Sequence, residues 1–148
     1  MKHDVVKMTL GPMSNNVYVL ADGDSGDAVV IDPTFGSQAV VDKISDQDWT
    51  LRQIWLTHAH FDHIAGVNEI LKNFDRPLPI GLHPDDEEIY LEGGGARQFG
   101  ATIPHTPPIS FHFVHGMKLG FQEGEARLVE VRHAPGHCPG HVMFYCQS

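Results

Sequence analysis

The segment "LRQIWLTHAHFDHIAG", residues 51–66, runs an apolar stretch straight into three histidines and an aspartate packed within six positions. A second stretch, "AVVIDP" at Ala28 to Pro33, is also apolar almost throughout and also ends on a polar corner. Short continuous apolar runs bounded by turn residues read as strands buried on both faces. A chain holding two of them must cover a sheet on both sides, so the pattern predicts a layered α/β domain with polar side chains gathered where the strands end.

The flanking sequence fills in that plan. "VVKMTL" and "NVYVLA" read as the first strands, with "GPMSN" as the turn between them and "DGDSGD" as the next turn. Ser37 is placed to cap a helix from Gln38 to Ser45, with Ala39, Val40, Val41 and Ile44 as its apolar stripe. Ile64, Val67, Ile70, Leu71 and Phe74 fall at helical spacing. "RPLPIGL" is a short strand, and Pro84 followed by four acids, Asp85 to Glu88, opens another helix with a solvated acidic face. Residues 93–116 lack a period and read as a long surface excursion, a lid or substrate loop. A hairpin with a clean strand from Ala126 to Arg132 follows, then the turn-rich "APGHCPG" and a strand starting "HVMFYC". Nothing divides the chain, so residues 1–148 are expected to form a single domain.

Bulk properties narrow the partners. The 148 residues carry a formal net charge of -9, which disfavours nucleic acid and anionic membrane surfaces and leaves small molecules as the expected substrates. No apolar run reaches the roughly 20 residues of a bilayer span, and "MKHDVVKMTLGPMSNN" has no signal-peptide apolar core. The expectation is a cytoplasmic protein, consistent with only two cysteines, Cys138 and Cys146.

The chemistry lies in the histidines. His58 and His60 are two apart, so at an extended strand end both imidazoles face the same way and can share one metal ion. Asp62 and His63 come as the chain turns into a helix and can reach a second ion. A structural zinc site would carry cysteine pairs, which are missing here. His137 lies between Pro135-Gly136 and Pro139-Gly140, a loop stiffened by proline and turned by glycine that can present one imidazole at a fixed angle. Cys138 reads as a packing residue, since neighbours in an extended loop diverge. Trp55 reads as core.

With these motifs in hand, the chain resembles the metallo-β-lactamase superfamily. "THAHFDH" is similar to its T-H-x-H-x-D-H signature, "HAPGHCPGHV" to the H-x-P-G-H segment of its glyoxalase II-like (hydroxyacylglutathione hydrolase-like) branch, and "VIDP" to its buried strand ending in Asp-Pro. The resemblance implies an αββα sandwich. It implies His58, His60 and His137 on a first metal, and Asp62 and His63 on a second. Asp62 would also orient a metal-bound hydroxide, with Asp32 in a supporting shell. His133 would support the site by hydrogen bonds, and His141 would fix the loop. The implied cofactor is zinc, two ions per chain in the family, with iron or manganese as alternatives. The implied activity is hydrolysis of a thioester such as an acyl-glutathione. Another ester, a lactone or a β-lactam on the same fold is the alternative, as is a catalytically incomplete metal-binding fragment.

The family's later ligands, a bridging aspartate and one more histidine, have no counterpart in this sequence. The resemblance therefore implies a domain truncated at its C-terminus, with the second half of the sandwich incomplete. One ion per chain held by three imidazoles, and exposed sheet faces covered in a homo-oligomer, follow as expectations.

Overall fold

The computed structural model describes residues 3–122 and 129–146. Six strands form the larger sheet, β1 (His3–Leu10), β2 (Asn15–Asp22), β3 (Asp27–Ile31), β4 (Thr50–Trp55), β5 (Ile80–Leu82) and β6 (Phe111–His112), adjacent in that order. The first three run antiparallel and the last four, beginning with β3, run parallel. A smaller antiparallel sheet contains β7 (Lys118–Leu119), β8 (Val129–His133) and β9 (Val142–Cys146).

Strand alternation divides the apolar residues between two cores. Val17, Val19 and Ala21 of β2 and Ile54 of β4 point to one face. There they meet α1 (Gln38–Asp46), α2 (Phe61–Ile64), α3 (Val67–Leu71) and α4 (Glu87–Leu91) through Val40, Ile44, Ile64, Val67, Ile70 and Tyr90. Leu20, Val29 and Trp55 point the other way and pack against Phe113, Phe121, Val129, Val131 and Val142 beneath the small sheet. Trp55 is fully buried, with the Phe144 ring 5.2 Å away, so the core expectation holds. Burying such a ring stabilises by about 1.5–3 kcal/mol. Among the described residues the layers are helices, large sheet and small sheet, three of the four expected.

Three local expectations need correction. The helix after the histidines is two short pieces, and between them the Gly66 N–H donates to the Pro33 carbonyl at 3.0 Å. A Cβ on Gly66 would lie 2.1 Å from the Thr34 carbonyl oxygen, so a side chain has no room. Ser37 does stand at the N-cap of α1, but its hydroxyl donates to the Thr34 carbonyl at 2.6 Å. The Glu69 carboxylate from α3 takes the Ser37 and Gln38 N–H groups instead. The segment 93–116 is no free excursion: Phe61 N–H donates to the Gly94 carbonyl at 2.9 Å, Tyr90 hydroxyl to the Pro107 carbonyl, and Ser110 N–H to the Ile80 carbonyl at 2.8 Å. Its end supplies β6 to the sheet, and Phe113 just beyond is fully buried. In the hairpin, β8 starts at Val129, and Ala126 to Leu128 lie outside the described residues.

Among the described residues the small sheet covers only part of the large one. A groove of about 340 Å³ opens between Val5, Tyr18, Leu20 and Ile31 on one side and Met143, Phe144 and Cys146 on the other. No described helix is long and apolar enough to cross a membrane.

Candidate metal centre

β3 and β4 are parallel neighbours, so Asp32 and Thr57 leave the sheet side by side. Asp32 sits at φ 55°, a left-handed conformation that aspartate tolerates better than most residues. This turn aims its carboxylate back at the histidine corner. Oδ1 accepts the Thr57 N–H at 2.7 Å, and Oδ2 accepts the Thr57 hydroxyl at 2.6 Å.

The direction of those bonds sets the neighbouring tautomers. With its proton given to Asp32, the Thr57 hydroxyl accepts at Oγ1 from His58 Nδ1, 2.8 Å away. His58 Nε2 is then left with a bare lone pair, and it is a buried nitrogen with no partner. His63 Nδ1 faces the same carboxylate oxygen at 3.1 Å, which turns His63 Nε2 toward Asn15 Nδ2 at 3.4 Å and Asp62 Oδ2 at 3.5 Å. Asp32 therefore orients one imidazole through Thr57 and another directly, the arrangement by which metal-ligating histidines are commonly fixed.

Opposite them, the "APGHCPG" loop brings His137 Nε2 to 3.1 Å from His60 Nδ1, and the His137 ring centroid to 4.8 Å from that of His58. His58, His60 and His137 each offer a ring nitrogen within 4.8 Å of the others, a group able to hold one cation. Asp32, His58 and His63 form a second such group. Asp62 is less tightly gathered: its Oδ2 is 3.5 Å from His63 Nε2 and accepts from Asn15 Nδ2 at 2.8 Å. The sequence signals of the cluster are thus assembled in one place, with Asp62 and His63 as a pair and Asp32 behind both halves.

Electrostatics fit a cation. Burial, then the neighbouring imidazoles of His63 and His60, push His58 down to about 3. Burial and His137 lower His60, and burial and His137 also lower His141. A cluster of neutral imidazoles presents lone pairs, the state in which nitrogen ligates metal. For His63, burial opposes the charge but the Asp32 hydrogen bond and charge outweigh it, and its pKa is raised. A buried nitrogen without a partner and converging neutral donors suit a borderline divalent ion such as zinc or iron.

His133 stands outside the cluster. Its Nε2 faces the Pro139 carbonyl at 2.8 Å, tying the strand to the loop that carries His137. His83, Asp85 and His133 form a third group with nitrogens and oxygen in reach of one another. The His83 and His133 rings are stacked, 4.1 Å apart and 10° from parallel, so their in-plane lone pairs do not converge. His83 Nδ1 already accepts the Asp85 N–H. His141, expected to begin the last strand, lies one residue before β9, and its ring is 5.0 Å from that of His58, on the rim of the site.

Four residues at the centre escaped sequence reasoning as site residues. Asn15 carries no pattern beyond its neighbours, and Thr57 stands in the THAHFDH motif without a role assigned to it. Cys138 was expected only to pack, but its Sγ lies 3.2 Å from His60 Nε2. Asp86 was expected in a solvated acidic run, yet it is completely buried, with Oδ2 accepting from Ala59 N–H at 2.9 Å and Oδ1 from Gly140 N–H at 2.7 Å. Its spacing from buried Tyr90, four residues on, was the available signal.

Comparison with known proteins identifies the family. The sequence pattern of the metallo-beta-lactamase superfamily matches residues 10–148. The chain is 29% identical to the probable metallo-hydrolase YqgX of Bacillus subtilis (strain 168), across 96% of this chain and 65% of the relative. It is 30% identical to a hydroxyacylglutathione hydrolase of Cereibacter sphaeroides (strain ATCC 17029 / ATH 2.4.9), across 88% and 43%. Among solved structures, TTHA1623 in a di-iron-bound form superposes with a TM-score of 0.81 at 35% identity, covering 96% of this chain and 67% of that one. The B3 metallo-beta-lactamase BLEG-1 gives 0.81 at 31%, covering 97% and 67%. The chain thus spans 65% of the first of these curated relatives and 43% of the second.

Proposed function

The chain belongs to the metallo-β-lactamase superfamily, and from that premise we propose that it is a metal-dependent hydrolase acting on a thioester of the acyl-glutathione kind. One observation carries the hydrolase reading: His58 Nε2 is buried without a partner, in a histidine whose ring nitrogen groups within 4.8 Å of those of His60 and His137. The thioester rests on similarity to hydroxyacylglutathione hydrolases, at 30% identity or a little below.

His58, His60 and His137 would hold the first ion, and Asp62 with His63 a second. Divalent ions there would lower the pKa of a bound water and polarise a carbonyl. The protein's own contribution is orientation. Asp32 fixes the tautomers of His58 and His63, and Asn15 holds the Asp62 carboxylate beside His63. Asp62, whose Oδ2 lies 3.5 Å from His63 Nε2, would align the attacking water. Phe61 packs 5.5 Å from the exposed Phe99 ring beside the histidine loop, an apolar lip suited to an acyl chain. A thiolate leaves readily without a proton donor, so no general acid is needed on that side.

The test is a hydrolysis panel on zinc- or iron-loaded protein, comparing a hydroxyacyl-glutathione thioester, a lactone and a β-lactam. Thioester turnover that vanishes on chelation and in His58→Ala supports the proposal. Turnover that survives exhaustive chelation overturns it, and turnover confined to the lactone or β-lactam reassigns the substrate.

A further inference from the structure

Asp86 has an unusual place for a buried carboxylate. It stands at the N-cap of α4, where an aspartate ordinarily accepts N–H groups of its own helix, yet it makes no such bond. Both oxygens turn inward instead. One takes the N–H of Ala59, the residue between His58 and His60. The other takes the N–H of Gly140, three residues after His137. The two loops that would supply the first metal's ligands are far apart in sequence and share this carboxylate. The fit is tight, since a Cβ on Gly140 would lie 2.8 Å from the Asp86 nitrogen and 2.9 Å from Oδ1.

A third contact reaches a ligand directly. The Cys138 thiol lies close enough to Asp86 to feel its charge, and its Sγ lies 3.2 Å from His60 Nε2. His60 Nδ1 is the nitrogen that faces His137. If Nδ1 ligates, Nε2 carries the proton and donates it to Sγ, which leaves the thiol hydrogen to turn toward Asp86. The chain of bonds is consistent in direction from ring to carboxylate.

We propose that Asp86 is the positioning residue of the first metal site, fixing the spacing of the two ligand loops through Ala59 and Gly140 and the ring of His60 through the Cys138 thiol. Cys138 is then a hydrogen-bonding bridge between carboxylate and imidazole, neither filler nor ligand. The inference rests on the reading of His58, His60 and His137 as metal-holding residues.

Cobalt(II) is the probe, because its visible absorption reports ligand geometry and a thiolate ligand adds a near-ultraviolet charge-transfer band. Affinity is measured by chelator competition, and melting of the metal-free proteins is followed in parallel. Cys138→Ala should weaken cobalt about 10- to 100-fold and change the visible spectrum. Cys138→Ser, which restores a donor and acceptor at the same place, should return affinity to within about threefold. Asp86→Asn, whose amide cannot accept both N–H groups and the thiol, should weaken cobalt at least as much as Cys138→Ala. Wild-type affinity and spectrum in Cys138→Ala, failure of Cys138→Ser to recover, or a thiolate band in the wild type would each overturn the proposal. If the wild type holds no cobalt, the metal-site reading falls with it; if it does and the variants match it, only the positioning role falls.

Discussion

Replacing Asp32 separates its two tasks, holding the backbone and setting tautomers. In Asp32→Ala the Thr57 N–H loses its acceptor, a cost of about 1–3 kcal/mol for a buried donor. Alanine must also adopt the left-handed conformation at φ 55°, for about 1–2 kcal/mol more. The two together predict a loss of about 2–5 kcal/mol. Asp32→Asn is different. Asparagine tolerates the backbone and keeps one acceptor for Thr57 N–H. Its amide group, however, faces the Thr57 hydroxyl and His63 Nδ1 as a donor. The hydroxyl then turns its proton toward His58 Nδ1, and both histidines are left protonated at Nε2, the nitrogens meant for metal. Stability should fall by about 1 kcal/mol, the scale of one hydrogen bond, while metal affinity falls at least 10- to 100-fold. Urea unfolding of the metal-free proteins gives the first quantity and chelator competition the second. An Asp32→Asn protein that binds metal within about threefold of wild type would refute the tautomer argument.

Other outcomes follow from the same contacts. Metal-free protein should lose about 2 kcal/mol between pH 7.5 and 5, read from urea midpoints in chelator. His58 stays neutral in the folded state down to about 3, whereas its unfolded form takes a proton below the ordinary value of 6.5, so stability falls as pH falls through that range. His63, raised by Asp32 against its burial, works in the opposite direction and trims the loss. Gly66→Ala should cost about 1–3 kcal/mol in the same assay, because its Cβ meets the Thr34 carbonyl. Phe113→Ala should cost about 3–5 kcal/mol, whereas a surface loop residue would give a change within about 0.5 kcal/mol.

The parts of this protein legible in sequence are those with a short-range period. The strands of the large sheet up to β5 show as apolar runs or alternations, and the histidine corner shows as a density of ligating residues. The long-range parts were hidden. Phe111 to Phe113 lie in a stretch without period, and only pairing with Ile80 to Leu82 makes a strand of it. Gly66 has no room for a side chain because of Thr34, thirty-odd residues away. Asp86 sits in a row of four acids and is singled out by two amides that no local pattern connects to it. Asp32 and His63 were visible as motif positions, but the bond between them, which decides which nitrogen is bare, depends on two strands leaving the sheet together.

Metal content per chain tests the central claim most directly. The protein is purified without chelator, passed through gel filtration in metal-free buffer, and analysed by plasma mass spectrometry beside His58→Ala and His137→Ala. The account predicts at least one divalent ion per wild-type chain, and one fewer in each variant with the fold intact. A wild-type chain free of metal, or the same stoichiometry in all three proteins, would contradict it.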